Sequence, residues 1–223
     1  VSAKNPRKWP AMFDFHSEFV EPPQLGEPLP PVRITLPDGS SATSQQADVD
    51  ELLSQALSRR VRLMSSASDQ QTLEEYWPDI EGLSQRDAVT DEEIPGGAFF
   101  DGAPLHLLTT ATLDRLRECY PPGRFEVRRF RPNIVVQGAG GGAEFLEDRW
   151  IDRTVSIGDE ARLHIWRGCP RCVMTTLPQA DLPADPGILR TAARQNKGFV
   201  GVYVTVVREG MIRRGDPVRL DAE

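Results

Sequence analysis

From Phe125 onward the chain is a succession of short β-prone runs: Phe125 to Phe130, Asn133 to Val136, Ala161 to Trp166, Phe199 to Val207 and Val218 to Leu220, parted by glycine-bearing turns. Runs this short, rich in Val, Ile and Phe, cannot bury themselves singly and must pair into a sheet with one face over a core. The predicted class is mainly β within an α+β chain. Two helices interrupt the pattern. In one, Thr109 or Thr110 caps a turn carrying Leu113, Leu116 and Tyr120, and Pro121-Pro122-Gly123 ends it. In the other, Asp185 is the cap, Pro186 takes the first position, Ile188, Leu189 and Ala192 form the apolar side, and Gly198 lies just past the end. A strand with a bulge near Asp101-Gly102 is expected over Phe99 to Leu108.

The first part of the chain reads differently. A proline-rich approach, Glu21 to Pro31, leads to a strand at Val32 to Leu36 and the turn Pro37-Asp38-Gly39-Ser40. A helix follows, with Asp48 and Glu51 as a capping box and Val49, Leu52, Leu53, Ala56 and Leu57 on one face. Residues 65–97 are polar and acidic, with Tyr76-Trp77-Pro78 the one bulky anchor, and read as a linker or surface excursion. The predicted division is therefore 1–64, then the 65–97 linker, then 98–223.

The formal charge of −7 argues against a nucleic-acid partner, which needs a basic face. A basic island at Arg124, Arg128, Arg129 and Arg131 reads as a solvated strand face or a seat for a small anion. The apolar runs are too short to cross a membrane. Three cysteines make no disulfide framework, so a reducing, cytoplasmic setting is expected.

Two motifs bear on chemistry. Gly138 to Ala143 fits G-x-G-x-x-A, but strand-like residues return by Trp150, leaving no room for the helix a dinucleotide loop needs, so a hairpin loop is expected. Cys169-x-x-Cys172 reads as half a zinc site, a redox pair, or one metal-ligating thiolate beside an incidental neighbour. Cys119 and the scattered His16, His106 and His164 supply no second zinc pair, and no helix start accompanies Cys169. The single thiolate is what elimination leaves, alongside a purely structural pair. Arg131 and Asn133 add a forked cation and an amide, suited to a phosphate and a heterocycle edge, or else to a surface ion pair and a turn. No side chain announces itself as an acid–base catalyst.

With those residues in view, the chain resembles the MOSC family, shared by molybdenum cofactor sulfurases and the mitochondrial amidoxime-reducing component. The motifs that carry the resemblance are Leu105 to Thr109, Arg129 to Val136, Arg171 to Thr176, Gly201-Val202-Tyr203 and Gly210 to Val218. It implies a MOSC β-barrel with a few short helices, preceded by part of an amino-terminal β-barrel-like domain that begins before Val1. It implies molybdenum on the Cys172 thiolate, and a pterin and phosphate held by Thr109, Arg131, Asn133, Arg171 and Tyr203. Pro170 belongs to that pocket too, where amidoxime-reducing proteins carry serine. Cys169 is expected to be a neighbour.

The chemistry implied is reductive removal of oxygen from N-hydroxylated compounds, on molybdenum cofactor and, at the level of the family, with pyridoxal phosphate as a second cofactor. The rival reading is a non-catalytic carrier of molybdenum cofactor or sulfur. Since the chain ends just after the last MOSC motif, a separate electron donor, ferredoxin-like or a reductase, is expected.

Overall fold

The structure is a computed structural model describing residues 2–24, 26–65, 71–94, 100, 102–138, 140 and 142–221. It divides into two compact units. The first comprises Val1–Tyr76, Val89–Phe99 and Gln179–Asp181. Here β1 (His16–Phe19), β2 (Val32–Thr35) and β3 (Ser41–Thr43) form an antiparallel sheet in that order, with His16 opposite Thr35 and Arg33 opposite Thr43. Helix α1 (Val49–Ala56) packs Val49 and Leu53 with Ile34, Leu36 and Ala42. Asp48 occupies the cap position, but its φ of −101° and ψ of 13° depart from the extended conformation that aims a capping oxygen, and the expected capping-box bond does not form.

The polar stretch holds more order than its composition suggests. Strands β4 (Thr72–Trp77) and β5 (Ala88–Glu93) pair within it. Lys4 and Lys8 bond Glu75 and Glu74 at 3.2 and 2.9 Å, and the Arg7 guanidinium lies 3.8 Å over the Tyr76 ring. β1, β3 and β5 escaped the sequence reading because most of their residues are polar or small, and β4 because Glu74 and Glu75 interrupt its apolar residues, so no apolar alternation was there to detect.

The second unit comprises Trp77–Ala88, Phe100–Pro178 and Leu182–Glu223. Its chain order is β6 (Leu105–Thr109), α2 (Thr110–Cys119), α3 (Val127–Phe130), β7 (Ile134–Val136), β8 (Thr154–Ile157), β9 (Ala161–Pro170), α4 (Pro186–Asn196), β10 (Phe199–Arg208) and β11 (Val218–Leu220). Six strands make one sheet in the order β11-β8-β9-β10-β6-β7, antiparallel except for the β6–β7 pair. The class is mixed α+β, as expected.

Alternation along β6 sorts the core into two layers. Leu107 joins Val155, Leu163, Ile165, Val202 and Val204, whereas Leu108 joins Leu113 and Leu116 of α2, Ile188 of α4, Phe125 and Phe130. Helix caps follow the sequence: Thr109 accepts from Thr112 N at 3.2 Å, and Asp185 from Gly187 N at 2.8 Å.

Three expectations are corrected. Phe125 to Phe130 is not a strand. The helical turn α3 draws both Arg129 and Phe130 inward, which no alternating strand allows, and Arg131 closes it in the left-handed region at φ 52°. The strand expected from Phe99 begins only at Leu105, and Phe99 and Asp101 lie outside the described residues. β9 runs on to Pro170, past its expected end at Trp166, so Cys169 is a strand residue. In the glycine segment Ala139 and Gly141 lie outside the described residues; downstream, a 3-10 turn at Leu146–Trp150 leads to β8, antiparallel to β9.

Candidate functional site

One row of residues crosses the middle of the larger sheet. Arg167 of β9 stands opposite Tyr203 of β10, and Tyr203 opposite His106 of β6. Asn133, just ahead of β7, completes the row through two bonds: its N–H donates to His106 O at 2.9 Å and its side-chain Oδ1 accepts from His106 N at 2.8 Å. The Asn133 backbone N–H and side-chain Oδ1 thus continue the hydrogen bonding of the parallel pair by one step, leaving its side-chain NH2 without a partner among the described residues.

His106 itself is buried. Its Nε2 donates to Val200 O at 3.0 Å, which fixes the proton on that nitrogen because a carbonyl only accepts. Burial, reinforced by the positive charge of Arg171, pushes its pKa down to about 3, so the ring is neutral at physiological pH. Space for it comes from Gly201: at φ +77° a Cβ there would lie 2.1 Å from His106 Nε2.

Arg171 joins this row to the thiols. Its Nη1 donates to Cys169 Sγ and its Nη2 to Phe130 O, both at 2.9 Å, with the guanidinium 5.8 Å from the Phe130 ring centre. Burial pulls the guanidinium pKa down, but the thiols of Cys169 and Cys172 and the Tyr203 hydroxyl outweigh it and raise it. Its Nε–H is buried without a hydrogen-bond partner. Cys172 is buried at the start of the 3-10 turn Val173–Thr176, and its carbonyl accepts from Thr175 N at 3.2 Å and Thr175 Oγ1 at 3.0 Å.

Beside Cys169 lie Ala103, Tyr203 and Trp166. The Tyr203 and Trp166 rings stack at 6.2 Å, and the Arg167 guanidinium sits 4.2 Å from the Trp166 centroid. Trp166 Nε1–H is the second buried side-chain donor without a partner, so both orphaned donors among the described residues border the same small cluster. Buried orphans are rare, and two at one place mark where an acceptor belongs.

The other expected residues differ in exposure and contacts. Arg131 and Pro170 are exposed. Thr109 is fully buried; its hydroxyl donates to Glu147 Oε2 at 2.5 Å while accepting from Thr112 N at 3.2 Å. Thr112 Oγ1 donates to the same carboxylate oxygen at 2.7 Å. Burial raises the Glu147 pKa above the usual carboxylate range, with the threonine hydrogen bonds opposing it.

Sequence reasoning missed Glu147 because nothing local distinguishes it from the acids around it. It also missed Arg129, read as part of a solvated strand face. Arg124 and Arg128 are exposed and paired with Glu126, but Arg129 is 1% exposed and spends its guanidinium on four backbone carbonyls. A cavity of about 760 Å³ elsewhere in this unit, lined by Val135, Gln137, Gly138, Trp150, Arg214 and Asp216 among others, includes none of the expected site residues.

Among the described residues no three His, Cys, Asp or Glu side chains come together as a metal cage. The only lysine in this unit, Lys197, is exposed at the end of α4. A pyridoxal phosphate site requires a lysine to form its Schiff base, so that cofactor finds no support.

The MOSC domain family matches residues 95–219. Mitochondrial amidoxime reducing component 2 of Rattus norvegicus is 32% identical over 136 residues, covering 54% of this chain and 38% of the rat protein. Mitochondrial amidoxime-reducing component 1 of Mus musculus is 32% identical over 136 residues, covering 55% of this chain and 38% of its own length. The chain thus spans less than two-fifths of these relatives. Among solved structures, YiiM from Geobacillus stearothermophilus aligns with a TM-score of 0.41 and 17% identity over 70% of this chain and 73% of that one. With the family matched across more than half its length, over the segment that carries the thiols, Arg171 and the Tyr203 row, this chain belongs to the MOSC domain family.

Proposed function

We propose that this chain is the cofactor-holding part of a molybdenum-cofactor oxidoreductase acting on N-hydroxylated compounds. The observation that carries the reading is Arg171: a half-buried guanidinium bonded to a thiol and a carbonyl, with its Nε–H buried and orphaned, beside the buried Cys172. A half-buried cation with no carboxylate among its bonded partners calls for an anionic one, and a phosphate-bearing pterin with a soft metal is such a partner. The relatives named amidoxime-reducing components support the choice of substrate.

In this reading Cys172 is the single protein ligand to the metal. Arg171 and Arg131 offset the cofactor's negative charge, while Asn133 NH2 and Tyr203 orient the pterin; Thr109, fully buried with its hydroxyl hydrogen committed to Glu147, does not contact it. Pro170 offers no hydroxyl. Bound there, the cofactor supplies the two-electron chemistry that removes oxygen from an N–OH group. Neutral His106, its Nε2–H committed to Val200 O, fixes the strand row and is a poor proton source near pH 7. Electrons come from a separate donor protein, ferredoxin-like or a reductase.

The test is molybdenum content by mass spectrometry on the full-length protein beside its Cys172→Ala variant. Wild type should carry molybdenum and the variant should lose nearly all of it; equal retention overturns the ligand assignment. Loaded wild type should also oxidise a reduced donor only when an amidoxime or hydroxylamine is present. Full loading without turnover selects the carrier reading instead.

A further inference from the structure

Arg129 is the one guanidinium of the basic island that is fully buried, and its place in the fold is specific. Nε donates to Arg124 O at 2.9 Å, Nη2 to Pro183 O at 2.8 Å, and Nη1 to both Thr175 O and Leu177 O at 3.2 Å. None of these bonded partners is a carboxylate. Burying a cation whose bonded partners are all neutral carbonyls, with Asp185 and Glu126 acting on it only through space, is an expensive way to fill space, since an apolar side chain of similar volume is often as stable or more so.

One of those carbonyls, Thr175 O, belongs to the turn that follows Cys172, and another, Leu177 O, comes just past its end. Thr175, held by Arg129 through its own carbonyl, in turn donates its N–H and its Oγ1–H to the carbonyl of Cys172. The next residue closes the same turn, with Thr176 Oγ1 donating to Val173 O at 2.7 Å. Each link joins a rigid planar fork or a short hydroxyl to a backbone oxygen, so the Cys172 backbone is tied to α3 by two consecutive steps. Phe130, the neighbour of Arg129, holds Arg171 through its carbonyl, so α3 grips the thiol segment from both sides.

We propose that Arg129 is a positioning residue for Cys172: through Thr175 it fixes the turn Val173–Thr176 and thereby the direction and accessibility of the Cys172 thiol. The inference rests on the assignment of Cys172 as the metal ligand only for its consequence, metal retention. The positioning itself is a property of the chain and can be read without metal. Lysine cannot replace the fork, because one ammonium reaches fewer carbonyls and in no fixed plane.

The experiment uses full-length metal-free protein and measures alkylation of Cys172 by iodoacetamide, resolved from Cys119 and Cys169 by peptide mass spectrometry. Three variants are compared with wild type: Arg129→Met, Arg129→Lys and Thr175→Val. Thr175→Val removes only the hydroxyl link and guards against a failure of Arg129→Met to fold. Losing a link should free the turn to open locally, raising the Cys172 rate by roughly tenfold in each folded variant while Cys119 keeps its wild-type rate.

After reconstitution the same variants should retain less molybdenum, with Arg129→Lys between wild type and Arg129→Met. A wild-type Cys172 rate in folded Arg129→Lys and Thr175→Val overturns the positioning role. Raised Cys172 rates together with undiminished molybdenum leave Arg129 in its role and instead overturn Cys172 as the ligand, so the two failures are told apart.

Discussion

At the scale of residues, three of the buried ionisable groups of the second unit are held in three different ways. Glu147 is an acid held by hydroxyls, His106 a base held neutral, and Arg129 a cation held by carbonyls. The first two make opposite pH predictions. Because the folded pKa of Glu147 lies above its unfolded value, the native state binds that proton more tightly, and stability falls as pH rises between the two values. Glu147→Gln has no proton to lose. Its stability relative to wild type should climb through that window and then level off, as measured by urea unfolding. A difference that does not change with pH would refute the buried-acid reading. For His106 the folded pKa, about 3, is below the unfolded value, so the unfolded chain takes the proton first and stability is lost as pH falls from about 6.5. Replacing it by Gln should remove up to one proton's worth of slope, about 1.4 kcal/mol per pH unit, between roughly pH 4 and 6.

At the scale of elements, the crossing of β6 and β10 depends on one glycine. Gly201 has φ +77°, and a Cβ there would meet His106 Nε2 at 2.1 Å and Leu107 O at 2.6 Å. Neither can move freely, since one is bonded to Val200 O and the other belongs to the sheet. Gly201→Ala should therefore cost about 3 kcal/mol or more, seen as a lower denaturation midpoint with unchanged steepness. Combining it with His106→Ala should relieve part of that loss but not all, because the backbone oxygen remains; full additivity would place the clash elsewhere. Elements were legible where apolar spacing reported burial. α2, α4 and β10 announced themselves through Leu113 and Leu116, Ile188 and Ala192, and the Phe199 to Val207 run. The segment Phe125 to Phe130 misled because its apolar residues, Phe125, Val127 and Phe130, fit a strand nearly as well as a turn of helix. What decided it was the burial of Arg129, whose acceptors at Thr175, Leu177 and Pro183 lie far along the chain.

At the scale of the whole molecule, no helix among the described residues is long and apolar enough to cross a membrane, and the larger unit carries a six-stranded mixed sheet under two helices. The sequence by itself determined the α+β class, the two main helices with their caps, and the family, because these rest on local spacing and on ordered motifs that are legible along a line. Cys172 and Arg171 were named as candidates from the same motifs. Only the tertiary structure decided that Asn133 extends a sheet ladder, that the two orphaned donors gather beside Cys169 and Tyr203, and that Glu147 and Arg129 are buried. The physical reason is range. Whether a polar group is buried depends on the partners that meet it there, and those partners stand 35 and 38 residues away for Glu147 and 46 to 54 for three of the four carbonyls on Arg129.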